Sequence, residues 1–443
     1  MFKTIKNAWS LPDLRKKILF TLLIIVVFRI GSVIQVPFLD TAALRSVMNP
    51  DDWSNTMLSY MNTLSGGAFS NATLFAMGIT PYINSSIIIQ LLCVAIPPLE
   101  RLAREGEAGR RKISAITRYV TVGLGIIQGT AYYFYLLNSK VTLYNSGFEL
   151  WFSAIVIILV FTAGTAVMMW LGEQINSHGI GNGISILLFA GIVAQFPQII
   201  NTLGQYWNLA VNGSTQFFFL VPLWVVLFVA VVWIITFMQD SERRIPIQYA
   251  KRVVGRKMYG GQSSVIPIRI SGSGVMPLIF AFSILSFPQM ISGLFWPNGG
   301  FYKWWTKWMT GSSAIAGGRI LYSFVLCLLI FAFSFFYAQM QFNPEDVSKS
   351  IQQNGGFIQG IRPGKATENY LKKISNRITL FGAIYLSLVA FIPALAFAWA
   401  DPTGTLVNVF STTGILIVVS VAMEFEKQLQ AQMMMKNYKG FLK

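Results

Sequence analysis

The stretch GGAFSNATLFAMGITPYINSSIIIQLL, residues 66–92, joins two kinds of sequence. From Pro81 onward it is rich in isoleucine and leucine, which predicts a membrane-spanning helix. The part before Pro81 is short and is interrupted by Gly66, Gly67 and Gly78. A span needs about 20 apolar residues, so this first part is too short and too polar to cross a bilayer by itself. The sequence thus places a short apolar segment, interrupted by glycines, directly before a span.

Apolar runs of span length recur along the whole chain. The chain has 443 residues, of which 54% are apolar and only 12% are charged. The charged share is about half that of a soluble domain. This composition predicts an all-α polytopic membrane protein. Ten transmembrane helices are predicted, at residues 18–36, 74–96, 119–137, 150–171, 184–203, 217–238, 275–296, 320–338, 378–400 and 405–423.

The basic residues are distributed unevenly between the two sides of these spans. Ten spans put both termini on one side, and the segments on that side carry most of the 34 lysine and arginine residues. The positive-inside rule therefore predicts that both termini are cytosolic. The same basic segments would also face the anionic lipid of the inner leaflet.

The spans divide into two sets of five. An odd number of spans per half means that the halves enter the membrane in opposite senses, as in an inverted repeat. The predicted regions are a cytosolic amphipathic N-terminal segment at 1–17, an N-terminal half at 18–203, a C-terminal half at 204–423 and a cytosolic tail at 424–443. Long cytosolic loops are predicted at 239–274 and 341–377, and the alternation in the first loop indicates a hairpin.

The spans lack the groups that ion-coupled transport or catalysis needs. No Asp or Glu lies at the middle of a predicted span, whereas transporters use buried carboxylates or histidines as relays. The chain has one histidine, its Cys93 and Cys327 lie in apolar runs, and no zincin, phosphate-loop or nucleophile-elbow motif occurs. We therefore predict no enzyme, no metal site and no cofactor. Arg29 is the one clear charge inside a span, where snorkelling or a helix-end carbonyl would satisfy it.

Apolar residues at helical spacing recur in several spans that begin with Gly-rich or Pro-containing breaks. Such breaks in both halves of an inverted repeat mark its central site. A ring of stiff β-branched side chains there would exclude water and ions by dewetting. The residues that share a helix face are Ile79, Ile83 and Ile87, then Ile184, Leu188 and Ile192, then Met276, Ile279 and Ser283, and finally Thr413 and Ile417. Taken singly, each also fits a lipid-facing or packing position. A channel, an inverted-repeat secondary transporter and a membrane scaffold or insertase without a pore all remain open at this point.

Five motifs in order along the chain narrow the choice. They are GGAFSNATLFAMGITPYINSSIIIQLL, EGEAGRRKISAITRY, HGIGNGISILLFAGIVA, RRIPIQYAKR and FIQGIRPGKATENYL. Together they resemble the SecY family of bacterial protein-translocation channel subunits, over essentially the whole chain. The resemblance implies two inverted five-helix halves, arranged as a clamshell with a central hourglass pore, a plug helix and a lateral gate. It further implies conduction of unfolded secretory polypeptides across the plasma membrane and release of apolar segments through the gate.

The resemblance also implies roles for individual residues. It identifies residues 66–77 as the plug segment, with glycine hinges and an apolar face, and the residues concerned are Gly66, Gly67, Phe69, Leu74 and Phe75. The implied pore ring, in which Leu188 stands where isoleucine is usual, consists of Ile79, Ile83, Leu188, Ile192, Ile279 and Ile417. The implied lateral-gate residues are Asn84, Ile87, Gln128, Ser283 and Phe287.

The basic cytosolic loops have an implied docking role for a motor or a ribosome. The residues concerned are Arg252, Arg256, Lys257 and Arg362, the last within GIRPG. The implied partners are SecE and SecG subunits, the SecA motor ATPase, the ribosome, preproteins that carry signal sequences, and anionic lipids. The implied location is the bacterial plasma (inner) membrane.

Overall fold

The computed structural model places its residues in two compact units. The residues that the structure describes are 2–47, 61–62, 64–144, 146–212, 216–249, 252–254, 257–259, 263–270, 272, 274, 276–296, 299–309, 316–400 and 412–440. Unit 1 comprises Met1–Trp224, Ser283–Tyr322 and Phe397–Lys443, and unit 2 comprises Val225–Phe282 and Ser323–Ala396. The unit boundaries lie inside long helices, so the two units do not coincide with the predicted inverted halves at 18–203 and 204–423. The inverted halves stay a prediction.

The described residues are mainly helical. The helices are α1 (Phe2–Trp9), α2 (Pro12–Gly31), α3 (Thr41–Val47), α4 (Thr80–Ala95), α5 (Pro97–Arg104), α6 (Glu107–Asn138), α7 (Gly147–His178), α8 (Gly183–Val193), α9 (Phe196–Val211), α10 (Gln216–Asp240), α11 (Met276–Phe295), α12 (Gly300–Trp308), α13 (Ala316–Gln341), α14 (Pro344–Gln353), α15 (Lys365–Ala400) and α16 (Thr412–Gly440). The strands are β1 (Glu242–Tyr249), β2 (Arg252–Val254), β3 (Lys257–Tyr259), β4 (Ser263–Arg269) and β5 (Gly356–Phe357).

Several of these helices are long and apolar enough to cross a membrane. Within the described residues seven qualify, at Glu107–Asn138, Gly147–His178, Gly183–Val211, Phe217–Asp240, Met276–Gly293, Ile320–Gln353 and Lys365–Phe391. The pair Thr80–Ala95 and Pro97–Ala103, bent by 107°, is an eighth candidate. Helix α2 covers most of the predicted first span, and α16 contains the described part of the last one. The prediction of an all-α polytopic membrane protein is confirmed.

Two of the helix boundaries that differ from the predicted spans do so for one shared reason. Helix α2 ends at Gly31 rather than at residue 36, and α4 begins at Thr80 rather than at residue 74. The backbone between these helices pairs instead, because Leu74 N–H donates to the Ile34 carbonyl at 2.9 Å and Val36 N–H donates to the Ala72 carbonyl at 3.2 Å. Val36 and Ala72 are buried, and buried backbone groups need hydrogen-bond partners, which this pairing supplies.

The hairpin predicted for 239–274 is present in unit 2. Strand β1 pairs antiparallel with β4, with Ile245 opposite Ile266, and β2 pairs with β3 between them in the sequence. Alternate residues of β1 point to one face, where Ile245 and Ile247 are buried. β1 also pairs with β5, which lies in the second predicted loop, so the two loops share one sheet. Their joint core adds Ile351 and Leu371 to these isoleucines.

Candidate functional site

The plug segment, residues 66–77, begins with two left-handed glycines. A helical turn ends at Ser65, and Gly66 and Gly67 follow with φ angles of 68° and 86°. The Gly67 N–H donates to the Asn62 carbonyl at 2.9 Å, which is the bond that closes a Schellman-type helix end. Gly78, at the other end of the segment, has a φ of 54°. All three glycines predicted as hinges therefore occupy backbone conformations that other residues rarely adopt.

Two buried aromatic side chains hold the plug segment against neighbouring helices of unit 1. The ring of Phe69 stacks on the ring of Tyr132 in α6, with centroids 4.4 Å apart. The Tyr132 hydroxyl donates a hydrogen bond of 2.7 Å to the Phe69 carbonyl. The ring of Phe75 stacks on Phe28 in α2 and fills the space beside Gly31, where a Cβ atom would collide with it. The apolar face predicted for this segment is thus packed on α2 and α6.

Close backbone approaches complete the seat of the plug segment. The Leu74 carbonyl lies so near Gly164 of α7 that a Cβ on that glycine would overlap it. At the start of the segment, a Cβ on Gly66 would lie 2.9 Å from the carbonyl oxygen of Gly191 in α8. Glycine at both helix positions lets the segment's backbone approach to van der Waals distance. Leu74 itself is half-buried, in contrast to the fully buried Phe69 and Phe75.

Arg29, the intramembrane charge, contacts the plug segment directly. Its Nη1 atom donates to the Gly66 carbonyl at 3.3 Å. The sequence predicted snorkelling or a helix-end carbonyl as its partner, and Gly66 follows directly on a helical turn. The Nε2 atom of Gln195, just beyond α8, donates to the Asn62 carbonyl at 2.8 Å in the same turn. Polar side chains from α2 and from the end of α8 therefore bind two carbonyls, of Gly66 and Asn62, at and just before the start of the plug segment.

The predicted ring residues are all buried. Those in unit 1 are Ile79, Ile83, Leu188, Ile192 and Ile417, and Ile279 belongs to unit 2. Two of them adjoin the ends of the plug segment. Ile79 follows Gly78 and precedes α4, and Ile192 follows Gly191, which touches Gly66. Helix α8 also packs against α16, which carries Ile417. The assignment of these residues as a pore ring stays a prediction.

The predicted gate residues in unit 1 include an unusual buried amide. Gln128 of α6 is only 1% exposed, and within the described residues neither its nitrogen nor its oxygen has a hydrogen-bond partner. Asn84, Ile87 and Ser283 are buried, and Phe287 packs on the same apolar cluster as Tyr132. The α6 helix and the unit 1 part of α11 contact each other, since the rings of Phe134 and Phe295 lie 6.3 Å apart. The structure thus brings together two of the helices that carry predicted gate residues.

Of the predicted docking residues, Arg362 is the best described. It is exposed in the loop between β5 and α15, between Gly360 and Gly364 with φ angles of 77° and 96°. Its carbonyl accepts a 2.9 Å hydrogen bond from the Thr367 hydroxyl, which fixes the turn. On nearby α14, a hydrogen bond from Lys349 Nζ to Glu345 Oε1 raises the pKa of Lys349. Arg252 and Lys257 lie in β2 and β3, and Arg256 lies outside the described residues.

Comparison with known proteins identifies the family of this chain. A family model described as SecY matches residues 73–426. The protein translocase subunit SecY of Streptomyces scabiei is 40% identical over 450 residues, and that of Halalkalibacterium halodurans is 41% identical over 458. Both alignments cover 100% of this chain and 100% of the relative. This chain belongs to the SecY family.

Solved structures show that the fold is that of SecY and Sec61 channels. A protein-conducting channel superposes with a TM-score of 0.62 at 19% identity, covering 95% of this chain and 92% of its own. A SecY protein whose plug domain stabilises the closed channel and maintains a membrane seal has a TM-score of 0.62 at 18% identity and the same coverage. Canine Sec61 from a ribosome–channel complex of the endoplasmic reticulum follows at 0.59 and 17%, again with 95% and 92% covered. The ten-helix clamshell prediction is confirmed.

Membership of the SecY family decides between the functions that the sequence left open. The family consists of protein translocase subunits with a protein-conducting channel fold. The secondary-transporter alternative is therefore not supported, and the predictions of a pore-forming translocase subunit and of a protein that is not an enzyme are confirmed. The chain is a multi-pass membrane protein.

The sequence prediction missed the residues that receive the plug segment in this SecY-family chain. They are Gly31, Tyr132, Gly164 and Gly191. A partial signal existed, because isolated glycines within apolar helices often mark a close backbone approach. The sequence contains many such glycines, however, and nothing in their spacing indicates which of them faces the segment.

Proposed function

We propose that this chain is the central pore subunit of a plasma-membrane Sec translocase, with the plug segment as its resting seal. The observation that carries the proposal is the seat of residues 66–77. It is built from two stacked aromatics, one buried tyrosine hydrogen bond and glycine contacts with helices of unit 1. Each contact is non-covalent and worth about 1 kcal/mol, so the segment is both held and releasable.

The ring residues would form the second barrier. Isoleucine and leucine offer no hydrogen bond to water or ions, so a ring of Ile79, Ile83, Leu188, Ile192, Ile279 and Ile417 would seal by dewetting. Their chemistry is indifferent to the sequence of a passing polypeptide. A signal sequence with 7 to 15 apolar residues would partition between the α6 and α11 helices and displace the plug segment. Unfolded secretory polypeptides would then pass through the ring, and sufficiently apolar segments would leave sideways into lipid.

The gate residues supply a reason for signal-dependent opening. The Gln128 amide is buried without a partner in the described residues, a state that costs roughly 1–3 kcal/mol. Opening the gate would hydrate this amide or bring it a partner from Asn84, Ser283 or the incoming polypeptide. Ile87 and Phe287 would contribute the apolar surface that the signal sequence displaces. The unpartnered amide thus lowers the free-energy difference between the closed and the open gate.

The cytosolic loops provide the docking surface for partners. The neighbours of known structure include Sec61 and yeast Ssh1 complexes bound to ribosomes, which supports a ribosome as one partner here. The exposed Arg362 would contact an acidic protein surface or ribosomal RNA phosphate, together with Arg252, Arg256 and Lys257. SecA, SecE and SecG subunits, preproteins and anionic lipids complete the proposed partners. The basic loops support a cytosolic location of both termini in a bacterium.

Site-specific photo-crosslinking tests this proposal. A photoreactive residue replaces Ile83, and the full chain with its partner subunits is driven by SecA and ATP on a stalled preprotein. We expect crosslinks from this position to mature-region residues of the preprotein, and few from the matched position Ile88, which is 36% exposed on the same helix. Crosslinks at Ile88 alone would be consistent with a lateral insertion gate and would contradict the assignment of Ile83 to a pore.

A further inference from the structure

A cavity of about 350 Å³ lies in unit 2, where β4, α13 and α15 meet. It is separate from the plug segment and borders the sheet core of the two loops, with which it shares Ile268, Phe342 and Ile378. Arg269 and Gln341, both exposed, mark the side on which it opens. Its lining residues are Pro267, Ile268, Arg269, Ile270, Gly272, Ala338, Gln341, Phe342, Ser375, Ile378, Thr379, Gly382 and Leu386.

Three polar side chains that line this cavity, those of Arg269, Ser375 and Thr379, have no partner within the part of the chain that the structure describes. The guanidinium of Arg269 makes no ion pair there, and the hydroxyls of Ser375 and Thr379 make no hydrogen bond. Threonines in other helices of this chain bond to the carbonyl four residues earlier, as Thr121 and Thr165 do at 2.7 and 3.1 Å. Ser375 and Thr379 are one helical turn apart and therefore share a face of α15. Three residues whose side chains carry hydrogen-bond donors thus line one cavity.

The surface of α15 places this cavity at the level of lipid headgroups. The exposed residues up to Arg377 include Lys372 and Lys373, which are basic. From Leu380 to Leu388 the exposed side chains are apolar, and Phe381 is 53% exposed. The change from basic to apolar surface falls between residues 377 and 380, and the cavity residues of α15 straddle it. In a membrane protein, such a change marks the boundary between headgroups and hydrocarbon.

A close approach shapes the inner wall. A Cβ atom on Gly382 would lie 2.7 Å from the Ile270 carbonyl, so glycine allows the end of β4 to approach α15. Beyond this point, Leu386 and Ala338 supply apolar surface. The cavity therefore has a donor-rich end at the headgroup level and an apolar end toward the hydrocarbon.

We propose that this cavity binds the phosphate of an anionic phospholipid, with its glycerol backbone against the apolar wall. Arg269 presents a planar guanidinium that matches two phosphate oxygens, and the Ser375 and Thr379 hydroxyls donate to the remaining ones. The inference rests on the membrane embedding of the chain alone and not on its role as a channel. It differs from the general attraction of basic loops to lipid because it requires donors inside one cavity.

Native mass spectrometry of the detergent-solubilised full-length protein tests this assignment. Titration with dioctanoyl phosphatidylglycerol measures the affinity of the first bound lipid. We expect Arg269→Gln to weaken that affinity about tenfold, equivalent to about 1.4 kcal/mol. The matched control Arg377→Gln removes a charge from the exposed surface of α15, outside the cavity, and leaves the affinity within about twofold. The pair Ser375→Ala and Thr379→Val provides a second variant that keeps every charge and weakens binding in the same direction.

Three outcomes would overturn the proposal. Equal losses for Arg269→Gln and Arg377→Gln would reduce the effect to general attraction by the basic surface. Equal affinity for dioctanoyl phosphatidylcholine would remove the requirement for an anionic headgroup. Displacement of phosphatidylglycerol by millimolar inorganic phosphate, with the same dependence on Arg269, would assign the cavity to a soluble phosphate instead of a lipid.

Discussion

Replacing Gly66 by alanine is the sharpest test of the seat of the plug segment. Gly66 has a φ of 68°, and an added Cβ atom would lie 2.9 Å from the Gly191 carbonyl oxygen and 3.0 Å from the Gly191 Cα. Both contacts are with backbone, which cannot rotate away. Gly67 is the matched control, because its φ of 86° carries the same conformational penalty while a Cβ there meets nothing within 4 Å.

Comparing the two variants separates the energetic cost of a left-handed backbone, which both have, from the cost of the clash with Gly191, which only Gly66→Ala has. A left-handed alanine costs roughly 1–2 kcal/mol, so Gly67→Ala should shift the equilibrium toward the displaced plug segment by about five- to thirtyfold. Gly66→Ala adds an overpacking cost of roughly 1–3 kcal/mol. This further cost multiplies the shift by about fivefold or more. The clash disappears when the segment leaves its seat, so the penalty acts on the closed state.

Resting ion conductance measures this shift. Equal amounts of wild type and of each variant, with partner subunits, are reconstituted in planar bilayers without SecA or substrate. We expect conductance in the order Gly66→Ala, then Gly67→Ala, then wild type. Gly191→Ala approaches the same contact from α8, since its Cβ would lie 2.8 Å from the Leu64 carbonyl oxygen, and it should also raise conductance. If the conductance of Gly66→Ala is no higher than that of Gly67→Ala, the close contact between the backbones of Gly66 and Gly191 does not exist in the resting channel.

Three further predictions concern the seat, the ring and the gate. Tyr132→Phe removes the hydroxyl that donates to the plug segment and should raise resting conductance about fivefold, for about 1 kcal/mol, whereas Tyr119→Phe, at an exposed position of the same helix, should change nothing. Ile83→Ser should let water wet the ring and increase secretion of proteins with weakened signal sequences, while Ile88→Ser should not; unchanged signal stringency would contradict the ring assignment. Gln128→Leu removes a buried amide without a described partner, so it should raise the thermal unfolding temperature and make secretion more dependent on strong signals, and a lowered temperature would show that the amide is satisfied.

The agreement between the predicted and observed backbone breaks at the two ends of the plug segment has a local physical cause. Glycine is the residue that most readily adopts a positive φ, so Gly66, Gly67 and Gly78 could be read as backbone breaks from the sequence alone. The predicted end of α2 and the predicted start of α4 were wrong. Both depend on the pairing of residues 34–36 with residues 72–74, two segments that are distant in the sequence. Apolar residues in a paired segment look like a continuation of the adjoining span.

The two long loops, which are predicted to be cytosolic, also have one feature with a local cause and one that depends on remote residues. Alternating residues and turn glycines predicted a hairpin in the first loop, and β1 and β4 form it. Nothing in either loop predicted that Gln248 of the first would pair with Phe357 of the second. That pairing also decides where Arg362 lies, because β5 ends only a few residues before it.

The sequence by itself determined the class, the number of spans and the family of this protein. Those properties depend on local quantities, namely the length of apolar runs and the identity of contiguous motifs, and so they survive without coordinates. Only the tertiary structure decided what holds the plug segment, because its partners are remote along the chain: Tyr132 is 63 residues from Phe69 and Arg29 is 37 residues from Gly66. Glycine contacts such as Gly164 with Leu74 leave no mark in composition, since they consist of the absence of a side chain at the place where two backbones meet.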